Sequence, residues 1–176
     1  MHKNKGSKIP NPNVRGKKPA MPNPKITAPD FTFKTHYKWL INIKDGRFTN
    51  YHKGAGSYAK DVTQLIHTTI PFIYEYNQEI FKKGRMSSTP MNHSHQLKGN
   101  ELLLVKKITA KIISNNIEED FSWWQVGSIG GCRIIGVYRT AENSFYPLFV
   151  DWHHLIYPNK KYNQPDFESF DYTPEN

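Results

Sequence analysis

From Lys38 onward the apolar residues fall into short runs with two different spacings. Trp39-Leu40-Ile41-Asn42-Ile43, the polar Lys44-Asp45-Gly46-Arg47 and then Phe48-Thr49-Asn50-Tyr51 predict a short hairpin, with Asp45-Gly46 supplying the turn. Ser57 is placed to cap a helix through Tyr58, Val62, Leu65 and Ile66, which recur near the helical repeat. Pro71 should break or kink that pattern, and a second helix, Phe72 to Lys83, should end at Gly84. Residues 84–99 read as a loop. Asn100 is then expected to cap a helix over Glu101–Ser114, with Leu103, Leu104, Ile108 and Ile112 toward one face.

The last third changes to strand spacing. Phe121–Val126, Cys132–Tyr138 and Phe145–Asp151 are apolar runs separated by Gly130-Gly131 and by Thr140–Ser144, which predicts a consecutive antiparallel meander. Pro147 calls for an unpaired side or a bulge in its strand. Helices first and a meander afterwards give an α+β fold, with helices packed on one face of a small antiparallel sheet. Residues 1–30 hold six of the twelve prolines and no apolar period, so they read as a flexible basic arm. The single domain is then residues 31–161, followed by an acidic C-terminal tail, 162–176.

Composition narrows the partners. Twenty-four Lys and Arg against fifteen Asp and Glu leave a formal charge of +9, which favours a polyanion such as nucleic acid. The excess is +6 in residues 1–30 and +7 in 31–161, while 162–176 carry −4. Basic character therefore belongs to the body of the fold as well as to the arm. No apolar run is long enough to cross a membrane, and the basic N-terminus lacks the apolar core of a secretory signal. The lone Cys132 can form no internal disulfide. These features predict a soluble cytoplasmic protein with no membrane partner and no cofactor.

Candidate chemistry centres on histidine. His93-Ser94-His95 lies in the loop, and His153-His154 follows Asp151 and precedes Tyr157. Imidazole exchanges protons near neutral pH, although a histidine at an aromatic-rich strand end often only satisfies a hydrogen bond. Cleaving RNA without a metal needs a base for the 2′-hydroxyl, an acid for the departing 5′-oxygen and a cation for the phosphate. His153, His154, Tyr157 and the forked guanidinium of Arg133 cover those roles. An alternative set, His93, His95, Asp151 and His153, offers donors for zinc or manganese in a metal-dependent hydrolase, at a spacing matching no strong metal motif. Of the two adjacent tryptophans one should be core, and the other either packs in the core as well or is exposed to stack on a base. Trp124 is assigned the base-stacking role, with Lys106, Lys107, Arg139, Lys160 and Lys161 as cations for an RNA backbone.

The run Gly131-Cys132-Arg133-Ile134-Ile135-Gly136-Val137-Tyr138, then Phe145–Val150, then Trp152-His153-His154-Leu155-Ile156-Tyr157 resembles the C-terminal half of the RelE/ParE superfamily of bacterial toxins. The resemblance covers roughly residues 92–158. It implies a toxin-type endoribonuclease that cleaves mRNA, in association with the ribosome, by metal-independent acid/base chemistry, and a cognate antitoxin as partner. Arg133 falls on the family's phosphate-contacting strand arginine, His153 on the arginine of its His-Arg pair, and Tyr157 on its terminal tyrosine. The strand Trp123-Trp124-Gln125-Val126 lacks the basic residue many ribonuclease members carry there. ParE-type members act on gyrase instead of RNA. A reading from another class is a non-catalytic nucleic-acid- or ribosome-binding protein of a phage or mobile element.

Overall fold

The computed structural model describes residues 31–83, 89–113, 117, 119–128, 132–158, 167 and 169–174. Three long strands run consecutively, as their apolar runs and polar turns predict: β5 (Phe121–Gly127), β6 (Arg133–Arg139) and β7 (Ser144–Asp151). They pair antiparallel, with Trp124 opposite Gly136 and Ile134 opposite Val150. Two short strands complete the sheet in the order β1-β7-β6-β5-β4. One is β4 (His95–Gln96), inside the segment expected to be a loop, and the other is β1 (Thr32–Phe33), which pairs parallel with the start of β7. The sheet is therefore mixed, not purely antiparallel.

Helices cover both faces, which corrects the one-face expectation. The physical reason lies in β6, whose residues Arg133 to Tyr138 are all buried. A strand flanked by neighbours and apolar on both sides must bury both of its faces. One face, with Trp124, Val126, Ile134, Tyr138, Phe145 and Val150, packs on Leu65, Ile73 and Ile80 of the first helical segment. The other, with Ile135, Val137, Leu148 and Phe149, packs on Val105 and Ile108 of α3 (Gly99–Ile112) and on Ile43 and Phe48 of the hairpin.

The first helical segment is one unit where two helices were expected. Helix α1 (Ala55–Gln64) passes through a π-helical turn (Leu65–Thr69) into α2 (Ile70–Gln78) and a second π turn (Glu79–Lys83). Pro71 lacks an N–H and its ring crowds the carbonyl four residues back, so the wider π turn just before it keeps the segment going. The bend falls at Tyr76 (φ −106°, ψ 18°) instead. Ser57 sits in the first turn, not at the cap; its hydroxyl donates to the Gly54 carbonyl at 2.8 Å. Helix α3 likewise starts earlier than expected, so Asn100 lies within its first turn and Lys98 is the flanking residue. The hairpin shrinks to β2 (Lys44–Asp45) and β3 (Phe48–Thr49). Asn50 extends the ladder with its side chain: beside the backbone bond from its N–H to the Ile43 carbonyl (3.1 Å), its Oδ1 accepts from the Ile43 N–H at 2.7 Å and its Nδ2 donates to the Ile41 carbonyl at 2.6 Å.

Pro147 sits at the expected bulge. Ile135 faces Phe149 but Gly136 faces Pro147, so Leu148 is the extra residue, and Leu148 and Phe149 enter the same core. Gly136 makes the bulge possible, because a Cβ there would strike the Tyr146 carbonyl and the Phe145 ring. Gly136→Ala is expected to destabilise the protein by about 1–3 kcal/mol through overpacking, read as a lower urea midpoint. An unchanged midpoint would show that β7 can give way at the bulge.

Candidate active site

The end of β7 organises the site. Asp151 is fully buried and its carboxylate takes three backbone N–H groups of the following turn. Oδ1 accepts from His153 (3.1 Å) and Leu155 (3.0 Å), and Oδ2 from Ile156 (2.8 Å). This Asx-type turn stops the strand and turns the chain, with His154 in the left-handed region at φ 60°. Asp151 is thus a structural cap, not an exposed ligand.

The turn presents His153 to a partner that sequence reasoning missed. His52, only 1% exposed, lies with its ring centroid 5.9 Å from that of His153. Each imidazole is held by an acceptor at Nε2. His153 Nε2 donates to the Tyr51 carbonyl at 2.7 Å, and His52 Nε2 lies 3.1 Å from Asp61 Oδ2 on α1. An Nε2–H committed to an acceptor leaves Nδ1 as the basic nitrogen of the neutral ring. His52 Nδ1 is buried and has no protein partner. Burial pulls the His153 pKa below its usual 6.5, opposed by the Tyr51 carbonyl and the charge of Asp151. Tyr58 and Trp152 pack their rings against His52, at 5.1 and 5.2 Å, and also wall a shallow surface crevice beside it, too narrow to hold a water. Asn42 lines that crevice, and its Nδ2 is buried without a partner.

Arg133 and Tyr157 belong to a second group, on the α3 face. The Tyr157 ring meets the edge of His95 at 4.7 Å. Arg133 is 4% exposed, so it cannot grip a phosphate from that position. Its Nη1 donates to the carbonyls of Ser128 (2.7 Å) and Cys132 (3.3 Å), and its stem occupies the space left by Gly127, where a Cβ would lie 2.7 Å from Cδ. Burial, then the charge of Arg133, lowers the pKa of both His93 and His95. His95 Nε2 and Gln125 Oε1 are buried without partners there. The residues carried over from the toxin resemblance are therefore divided: Arg133 and Tyr157 gather around His95, while His153 packs with His52.

The expected RNA contacts are also redistributed. Trp124 is buried in the first core with its indole N–H on Ser122 Oγ (2.9 Å), which removes it as an exposed stacking platform. Trp123 is the half-buried one, and Lys106 Nζ sits 5.9 Å from its ring centre. Lys107 is exposed and pairs with Asp45 at 3.6 Å. Arg139 is committed to Asp120 and Glu142, both at 2.8 Å. Lys160, Lys161 and the basic arm lie outside the described residues. The alternative metal set does not assemble: among the described residues no group of three or more His, Cys, Asp or Glu is arranged to hold an ion. The set is divided, with His95 beside Tyr157 and His153 beside His52, and the buried Asp151 carboxylate is engaged by three backbone N–H groups. No helix among the described residues is long and apolar enough to cross a membrane.

A family model described as "Uncharacterised protein UU032" matches residues 35–176. A curated relative, "Uncharacterized protein UU032" of Ureaplasma parvum serovar 3 (strain ATCC 700970), is 26% identical over 151 residues, which span 82% of this chain and 80% of the relative. No solved structure matches the chain. The matched span takes in His52, Asp61, Asp151 and His153 together with the C-terminal segment. The chain belongs to the UU032 family.

Proposed function

We propose that this protein is a metal-independent endoribonuclease whose acid–base pair is His52 and His153. One observation carries the reading: two imidazoles 5.9 Å apart, each oriented through Nε2 by a separate acceptor. His153 is the base through Nδ1, because burial favours its neutral form; His52 is the acid through Nδ1–H in its imidazolium form, its ring fixed by Asp61, and, being 1% exposed beside Tyr172, it acts only once uncovered. The pair would split the work of transesterification: His153 removes the 2′-hydroxyl proton and His52 returns one to the 5′-oxygen. Lys53 and Lys60, exposed and next in sequence to His52 and Asp61, are the cations for the phosphate. The opening of α1 beside them carries no acidic residue, and a Cβ at Gly54 or Gly56 would meet nothing within 4 Å, so the backbone there is open to an anion. A RelE-like architecture is part of the same proposal, supported by the α+β frame and the antiparallel β5–β7 run; mRNA as substrate, ribosome association and an antitoxin partner rest on the sequence resemblance alone.

The test is cleavage of a labelled single-stranded RNA by the full-length protein in excess chelator. Products ending in 2′,3′-cyclic phosphate are expected. Activity that disappears in chelator and returns with zinc or manganese would overturn the metal-free reading. A second reading, non-catalytic RNA binding, is favoured by the exposed Lys98, Lys106 and Lys107 of the α3 region. It predicts salt-dependent binding that His52→Ala and His153→Ala leave unchanged, with no cleavage.

A further inference from the structure

Phe167 and residues 169–174 lie across the imidazole pair. Phe167 stacks on His153 with ring centroids 4.4 Å apart and planes 15° from parallel. Phe170 meets the same imidazole edge-on at 5.4 Å and packs on Phe167 at 5.4 Å. Farther along, Tyr172 and His52 exchange backbone N–H···O bonds, each 3.0 Å, as an isolated bridge outside the named strands. Phe167 and residues 169–174, within the segment expected to be an acidic tail, are docked on the domain.

Its chemistry is that of a single-stranded nucleic acid in miniature, flat rings beside negative charge. Residues 162–176 contain four Asp and Glu and no Lys or Arg, against +7 over residues 31–161. A nucleobase stacks on an exposed aromatic or imidazole face, and here Phe167 takes that face of His153. We infer that Phe167 and residues 169–174 form an autoinhibitory strap that mimics single-stranded RNA and must lift before the pair can engage a substrate. The identity of what the strap mimics rests on the ribonuclease reading; the covering of His153 and His52 does not.

The experiment uses the full-length chain carrying Phe167→Ala and Phe170→Ala. Acylation of His153 by diethyl pyrocarbonate is followed by peptide mass spectrometry, with and without a single-stranded oligoribonucleotide. Acylation and oligonucleotide affinity should each rise about tenfold, equivalent to 1.4 kcal/mol, and the oligonucleotide should protect His153. Phe167→Tyr, which keeps the ring, should stay near wild type. A thermal melt confirms folding, and Phe167→Ala alone serves if the double variant melts early. Unchanged acylation in a folded variant overturns the strap, and exposure of His153 without protection by RNA overturns its mimicry of RNA. Tighter binding and protection with no cleavage in any variant would uphold the strap and defeat the ribonuclease reading.

Discussion

His153→Ala should slow RNA cleavage by about 10²–10⁴-fold, and His52→Ala by a similar factor, because each removes one proton-transfer group. The double variant should be little worse than either single one, since an acid and a base acting on one transition state fail together. The pH profile separates the two roles. Burial holds the His153 pKa below 6.5, so His153 is neutral at pH 7 and ready to accept a proton. As pH falls through that lowered pKa the base becomes protonated, and the rate should fall with it; His153→Ala should lose this acid limb. Asp61→Asn should reduce the rate less than loss of His52, because the ring survives but its tautomer is no longer fixed. Wild-type rates in a folded His153→Ala protein would dismiss the pair, and would return attention to His95 and Tyr157 on the opposite face.

The meander was legible because its signals are local: apolar runs of strand length, a glycine pair, a polar turn and one proline at the bulge. The two-sided burial of β6 was also written in the chain, since Ile134-Ile135-Gly136-Val137-Tyr138 has no polar alternation. A strand with one solvated face would show it. The continuity of the helical segment through Pro71 was not legible, because a π turn leaves no mark in hydrophobic spacing. Nor was the site. His52 and Asp61 are nine residues apart on a loop and a helix, and no spacing motif marks them as partners. The fate of Arg133 hung on a different strand, where Gly127 makes room for its stem and so permits burial. In the tail the signal was present in Phe167, Phe170 and Tyr172, three aromatic residues that a solvated tail has no use for.

Asp151→Ala should be the most destabilising single change near the site, at about 3–5 kcal/mol. Two costs fall on one carboxylate. Three N–H groups, of His153, Leu155 and Ile156, lose a charged acceptor, and hydrogen bonds to charged groups contribute roughly 1.5–3 kcal/mol each. Arg133, in register with Asp151 across β6 and β7 and 4% exposed, also loses the negative charge that offsets its burial. The two costs share an atom group and will not simply add. At about 2–4 °C per kcal/mol for a chain of this size, the melting temperature should drop by roughly 6–20 °C. Asp151→Asn should cost less, since the amide oxygen still accepts from the turn. Adding Arg133→Met to Asp151→Ala divides the causes: recovery of a large part of the loss would assign it to the stranded guanidinium, and no recovery would assign it to the turn. The turn also sets the position of His153 against His52, so Asp151→Ala should lower cleavage even at temperatures where the protein remains folded. A loss below about 1 kcal/mol, within the range of an ordinary surface substitution, would mean that the chain around His153 is held by something other than this carboxylate.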